Sequence, residues 1–331
     1  MVLTSESTVR QRVRSSATVD EADGLTVLSF HAIGTVCRVS LVEPSRWAAN
    51  AYLDALLNWM AEFEAKYSRF LDGSLISRIN AAAGREWVAV DEETDLLLEL
   101  CHQMHFLTMG AFDATSLPLM KLWNWKARPV TIPTADQVQA ALRLVSWKKV
   151  QRKPGAVFLP EVGMGLDLGG IGKEYAVDRV TEMAKEYGIS KLMVDFGQDI
   201  RVLGIPPTRP AWHIGLEHPT NLGTCWGSVA LQDSAIACSG DYRRHFEHEG
   251  RKYGHIIDPR TGWPVNNGCR VVTAIAPSCT MAGILTTTAF ILGPQEGVRF
   301  IESQVGAAGA IVTDQNRYLT RRFHEHTVHH N

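Results

Sequence analysis

The sequence predicts an α+β fold, with mixed or antiparallel sheets flanked by helices. Strand-like and helix-like runs are interspersed without a regular strand–helix–strand beat. No Gly-x-Gly-x-x-Gly fingerprint and no Walker loop follows an apolar run. No internal repeat is visible across the 331 residues.

The elements follow in order. Residues 1–24 are polar and read as a flexible arm. Thr26 to Phe30 and Val36 to Val42 read as paired strands around a turn at Gly34. From Trp47 to Tyr67, Leu53, Leu56, Leu57, Met60, Phe63 and Tyr67 recur at helical spacing and give one apolar face. Ser74 is placed to cap a short helix through Ala82. Trp87 to Val90 reads as a strand, and Asp91 caps an amphipathic helix to about Met109. Gly110 to Leu122 is loop and helix start, and Arg128 to Pro133 is a proline-bounded connection that could mark a lobe boundary. Thr134 opens a helix through Val145. Val150 to Arg152, Ala156 to Leu159 and Met164 to Leu168 read as strands. A helix from Ile171 ends at Gly188, a residue suited to closing it. Leu192 to Phe196, Ile200 to Gly204, Trp212 to Leu216 and Trp226 to Leu231 read as successive antiparallel strands. Ala235 to Cys238 and Val271 to Ala276 add two more. Thr280 to Leu292 and Val298 to Ser303 are helical, and strands at Ala308 to Val312 and Tyr318 to Thr320 end the fold. The expected domain spans residues 25–320, followed by a His-rich tail, 321–331.

Composition narrows the function. A net charge of -2 gives no field for nucleic acid or an anionic membrane. No apolar run is long enough to span a bilayer. The first residues carry no apolar signal region and no lipid-anchoring cysteine, so the expectation is a cytoplasmic protein. The six cysteines are dispersed, with no C-x-x-C pair, as expected for reduced thiols rather than a zinc site. His324, His326, His329 and His330 crowd the tail, which reads as a solvated end.

The stretch Leu166 to Asp178 is the informative one. An apolar run carrying Asp167 enters a glycine turn, Gly169-Gly170, and then a helix with Lys173 in its first turn. Exposed N–H groups and a lysine at a helix start favour phosphate. On local chemistry alone, a plain structural turn accounts for it about as well. Short polar blocks precede and follow it: Gly110-Ala-Phe-Asp-Ala-Thr115, Asp195-Phe-Gly-Gln-Asp-Ile-Arg201, Ser239-Gly-Asp-Tyr242, Gly254-His-Ile-Ile-Asp-Pro-Arg-Thr-Gly262 and Met281-Ala-Gly-Ile-Leu-Thr-Thr-Thr288.

In that order, over roughly residues 30–300, the blocks resemble the ApbE family of FAD:protein FMN transferases, also called thiamine biosynthesis lipoproteins. The resemblance implies an α+β fold holding FAD in a cleft. It implies Mg²⁺-dependent cleavage of the FAD pyrophosphate, with FMN passing to a threonine or serine of an acceptor flavoprotein and AMP leaving. By motif position, Asp167 would contact the flavin nucleotide, Lys173 would hold phosphate, and Ala111, Phe112 and Asp113 would line the FAD site. Asp113 alone would equally serve as a turn carboxylate. Phe70 would stack on the flavin and Ile257 would pack against it. His255 would take the acceptor proton. Asp258 would anchor the turn after it. The Gly170 carbonyl, Thr286 and Thr287 would ligate the metal.

The chain departs from the family pattern at several places. Ile33 stands for methionine, Phe70 for tyrosine, Gln198 for glycine and Glu174 for the glycine after the motif lysine. The largest departure is Gly283, where the family carries a metal-binding aspartate. Loss of that carboxylate predicts weaker metal binding unless another acid, such as Glu174 or Asp241, replaces it. A flavin-binding protein without transferase activity is the alternative expectation.

Overall fold

A computed structural model describes residues 5–124, 131–242 and 244–328. The chain begins with α1 (Ser5–Ser15), β1 (Thr18–Ala22), β2 (Leu25–Ala32), β3 (Thr35–Leu41) and α2 (Arg46–Tyr67). Next come α3 (Leu75–Ala81), β4 (Val88–Ala89), α4 (Glu92–Leu107), α5 (Leu117–Leu122) and α6 (Ala135–Leu142). The middle holds β5 (Gln151–Lys153), β6 (Ala156–Phe158), α7 (Gly172–Glu186), β7 (Leu192–Phe196) and β8 (Asp199–Leu203). Then follow β9 (Trp212–Glu217), β10 (Cys225–Leu231), β11 (Ala235–Gly240), β12 (His245–His248) and β13 (Arg251–Gly254). The last elements are β14 (Cys269–Ala276), α8 (Cys279–Leu292), α9 (Pro294–Glu302), β15 (Ala308–Thr313) and β16 (Arg317–Leu319).

The α+β expectation holds. One nine-stranded sheet runs β1-β2-β3-β7-β8-β11-β14-β15-β16, and the pairings along it are antiparallel. Its strands alternate where one face is solvated: in β2, Leu28, Phe30 and Ala32 point inward. Helices α2 and α7 and strands β2, β3 and β7 share the largest apolar cluster. Helix α8 packs with β14 and β15 in a second. The sheet is narrowest at β8–β11, where the register holds only Ala235↔Arg201 and Ile236↔Ile200.

Several expectations are corrected. The segment expected to be an arm contains α1 and β1. Val9 and Val13 are buried against the core, stabilising the helix by about 3–5 kcal/mol. Arg10, Arg12 and Arg14 pair with Glu62, Glu64 and Asp54 of α2. Met164 to Leu168 is not a strand. Its polar backbone is satisfied sideways instead: Leu166 N–H donates to Asn80 Oδ1 at 2.6 Å, Asn80 Nδ2 donates to Leu166 O at 3.0 Å, and Asp167 N–H donates to Ala114 O at 2.8 Å. Strands β9 and β10 form their own hairpin, and the β12–β13 hairpin was not anticipated. Residues 321–326 form a 3₁₀ turn, and Phe323 is buried beside Trp226. The connection at 128–133 falls largely outside the described residues, as do His329 and His330.

Candidate active site

The first wall is built by segment 166–170. With the Leu166 backbone clamped by Asn80 and its own N–H held by Ala114 O, Asp167 accepts from Gly169 N–H at 2.8 Å and pairs with Arg69 Nε at 2.9 Å. The Arg69 guanidinium lies 4.2 Å from the centre of the Phe70 ring. Phe70 is 74% exposed, so its outward ring is available to stack on a planar ligand. A Cβ at Gly170 would stand 3.5 Å from Phe112 Cε2, so the Phe112 ring lies against the Gly170 backbone. Phe70, Phe112, Asp167 and Gly170 thus fall into two linked contacts around one turn. Arg69 was missed, although it sits inside the Ser68-Arg69-Phe70 block.

Ala111 and Asp113 are buried under this wall. Asp113 is saturated by protein donors. Its Oδ1 accepts from Thr115 N–H and Oγ1, its Oδ2 accepts from Trp147 N–H at 2.9 Å, and His105 Nδ1 lies 3.2 Å from it. Burial alone would raise this carboxyl, but those partners hold it below the usual range. Asp113 therefore anchors the Gly110–Thr115 turn.

Lys173 opens the second cluster. Its Nζ lies 2.5 Å from Asp199 Oδ2 and donates to Gly197 O at 3.4 Å. Burial would pull the ammonium down, yet the Asp199 and Glu174 carboxylates outweigh it and push the pKa up. Two of its three donors are committed, leaving one for an anion. Asp199 is delivered by the β7–β8 hairpin. Gly197 (φ 61°) and Gln198 (φ 75°) both sit in the left-handed region, as a two-residue turn between paired Phe196 and Asp199 requires. Glu174 is buried, its Oε2 has no partner among the described residues, and burial followed by repulsion from Asp199 raises its pKa.

Helix α8 faces this cluster. Ser278 caps it, and Asp178 of α7 accepts from Cys279 N–H, Thr280 N–H and Thr280 Oγ1 at 2.7–2.9 Å. Arg201 of β8 steadies the same carboxylate at 2.9 Å. On α8, Thr286 Oγ1 donates to Gly283 O at 2.9 Å. Ser239 Oγ, at the end of β11, lies 2.9 Å from Thr286 Oγ1 and 3.1 Å from Thr287 Oγ1. Ser239 joins the expected threonines and was not assigned a role from sequence, although its Ser-Gly-Asp-Tyr block was visible.

His255 and Ile257 lie on the loop after β13. The His255 backbone N–H and Nδ1 both approach Arg244 O at 3.1 Å. A carbonyl can only accept, so Nδ1 carries the proton and Nε2 presents its lone pair. Burial, then the Arg244 charge, pushes this imidazole down to about 4, so it is neutral at pH 7. Ile257 bridges to Pro264. Asp258 anchors the turn as expected, accepting from the Arg260 backbone and guanidinium at 2.9 Å. That turn abuts the Gly110–Thr115 turn, since a Cβ at Gly110 would lie 3.9 Å from Arg260 Cγ. A cavity of about 490 Å³ between His105, Gly110, Asp113, Lys148 and Arg260 includes none of Asp167, Lys173, Thr287 or His255, so it is a separate depression.

A carboxylate–arginine–phenyl wall, a lysine at a helix start and a neutral imidazole are groups that a nucleotide-handling transferase uses. The ApbE family pattern matches residues 33–312, and the chain belongs to that family. It is 30% identical over 321 residues to the FAD:protein FMN transferase of Treponema pallidum, covering 88% of each chain. It is 31% identical over 294 residues to the FAD:protein FMN transferase of Vibrio cholerae, covering 87% of each. The ApbE protein of Thermotoga maritima superposes with a TM-score of 0.84 at 29% identity, covering 92% of this chain and 100% of that one. The flavin transferase ApbE of Vibrio cholerae superposes with a TM-score of 0.83 at 26% identity, covering 94% and 99%. No helix among the described residues is long and apolar enough to cross a membrane.

Proposed function

We propose that this chain is an FAD:protein FMN transferase. It takes FAD and an acceptor flavoprotein and joins FMN to an acceptor threonine or serine. The observation that carries the reading is the Asp167–Arg69–Phe70 assembly. It offers a stacking ring, a cation and a carboxylate beside the Gly170 turn, in a chain of this family. The six cysteines are free, which supports a reducing, cytoplasmic setting.

The donor set also suits a hard divalent cation. Glu174 Oε2 is buried without a partner, and the hydroxyls of Ser239, Thr286 and Thr287 cluster on one face of α8. Gly170 O, Thr286 and Thr287 would hold Mg²⁺ alongside substrate oxygens. A bound Mg²⁺ supplies neutralisation of pyrophosphate charge.

The chain's own residues do the rest. Phe70 stacks on the isoalloxazine and Arg69 steadies the adjacent phosphate. The third donor of Lys173 takes a phosphate oxygen. Nε2 of His255 accepts the proton of the acceptor hydroxyl as its oxygen attacks the FMN phosphorus. The bond from that phosphorus to the AMP oxygen breaks, a phosphoester to threonine or serine forms, and AMP carries the electron pair away. The Nδ1–H bond to Arg244 O keeps the imidazole in the tautomer that can do this.

Incubation with FAD, Mg²⁺ and an acceptor domain checks the reading. AMP release with matching covalent flavin on the acceptor is expected. Neither product at any magnesium concentration would refute it.

A further inference from the structure

The place beside Gly283 is filled by another helix's side chain. A Cβ at position 283 would stand 2.6 Å from Glu174 Cγ, 3.0 Å from Cδ and 3.1 Å from Oε1. Real Cβ atoms do not approach so closely, so glycine at 283 is what admits the Glu174 side chain to this face of α8. Glu174 is 8% exposed, and its Oε2 has no partner among the described residues. A buried carboxylate oxygen without a donor is unfavourable, and a cation removes that penalty.

The helix register makes the placement firm. Asp178 binds the start of α8 at Cys279 and Thr280. One turn earlier on α7 is Glu174, and one turn later on α8 is Gly283, so the two meet where antiparallel helices would bring them. Thr286 and Thr287 lie one further turn along the Gly283 face, joined by Ser239. Among the described residues no group of three or more His, Cys, Asp or Glu is arranged to hold a metal. The set here is one carboxylate with hydroxyls and carbonyls, which suits an ion that keeps water and phosphate as its remaining ligands.

We infer that Glu174 is the carboxylate ligand of the divalent cation in this chain, reaching from α7 into the room left by Gly283. The carboxylate is transposed between helices rather than lost. This rests on the transferase reading only for the phosphate that completes the shell, because the cation is measured here without flavin. Lys173 and Asp199 face the same carboxylate. The competing arrangement is a Glu174 that stays protonated on Asp199 and meets no metal.

Titration of Mn²⁺ into the chelator-treated full chain, read by water proton relaxation, decides it. Wild type is expected to bind one Mn²⁺. Glu174→Gln, which keeps the shape but replaces the charge with a neutral amide, should weaken Mn²⁺ at least about tenfold. Gly283→Asp alone drives a Cβ against Glu174 and should lower both thermal stability and Mn²⁺ affinity. The exchange E174G/G283D should return affinity to within about threefold of wild type. Wild-type Mn²⁺ affinity in E174Q, or no Mn²⁺ binding by wild type, overturns the inference. So does a folded exchange variant that binds no better than E174Q. FMN transfer by the same samples separates the two ideas. Glu174-dependent Mn²⁺ binding without transfer would leave this inference standing and sink the function. Transfer with unchanged Mn²⁺ binding in E174Q would do the reverse.

Discussion

Replacing Lys173 with methionine removes the ammonium that faces two buried carboxylates. Asp199 is 3% exposed, Glu174 is 8% exposed, and the Lys173 amine sits 2.5 Å from Asp199. Removing one partner of a buried pair typically costs about 3–5 kcal/mol. The Lys173 side chain is 29% exposed, so water softens the loss and about 2–3 kcal/mol is expected. A chain of this size unfolds with an entropy near 0.7 kcal/mol per kelvin, so Tm should fall by about 3–4 °C. The pH dependence has a fixed sign. Burial and Asp199 raise the Glu174 carboxyl above its ordinary 4.5. Its contribution to stability is then complete below 4.5 and is lost as pH rises through the folded value. Without Lys173 nothing offsets that loss, so the deficit should be larger at pH 8 than at pH 5. Thermal unfolding followed by circular dichroism, in chelator, measures both points. K173M/D199N should recover about half of the loss. A K173M protein as stable as wild type at pH 8, or a deficit that grows toward pH 5, would refute the reasoning.

Other substitutions test the remaining parts. His255→Asn should lower the rate of FMN transfer by about 10²–10⁴ while flavin affinity, by fluorescence titration, stays within a few fold. The same variant should flatten stability between pH 6.5 and 4. The native imidazole is held down to about 4, so its contribution is present above 6.5 and lost as pH falls through the folded value. Phe70→Ala should weaken flavin by about fivefold without changing Tm, since the ring is 74% exposed. Asp178→Ala leaves two helix-start N–H groups without their acceptor and Arg201 with Glu182 alone, and should cost about 3 kcal/mol in urea unfolding.

The long periodic elements were legible because their patterns come from one-sided burial. Leu53, Leu56, Met60 and Phe63 recur on the buried face of α2, as their spacing demands. The first helix escaped notice because Val9 and Val13 are its only buried apolar residues and its arginines look like surface. Met164 to Leu168 has a strand's composition, but its partners are a side chain, Asn80, and a loop carbonyl, and no local pattern encodes those. Block order placed Asp167, Lys173 and Thr287 in one family site. It could not show that Asp113 spends its oxygens on Thr115 and Trp147. Nor could it show that two separate oddities, Glu174 and Gly283, touch. Contacts between residues a hundred positions apart are a property of packing.

The narrow β8–β11 junction gives the site an unusual mechanical setting. Lys173 and Asp199 belong to the α7–β8 flank, whereas Ser239 and Thr287 belong to the β11–α8 flank. Across the sheet those flanks are stitched by two residue pairs, with Asp178 as a brace between the helices. A ligand that grips both flanks adds a rivet at the thinnest part of the frame. Amide exchange at 200–201 and 235–236 should then slow on ligand binding more than exchange in the wide β2–β3 ladder, and the strength of the frame becomes a readout of what the cleft holds.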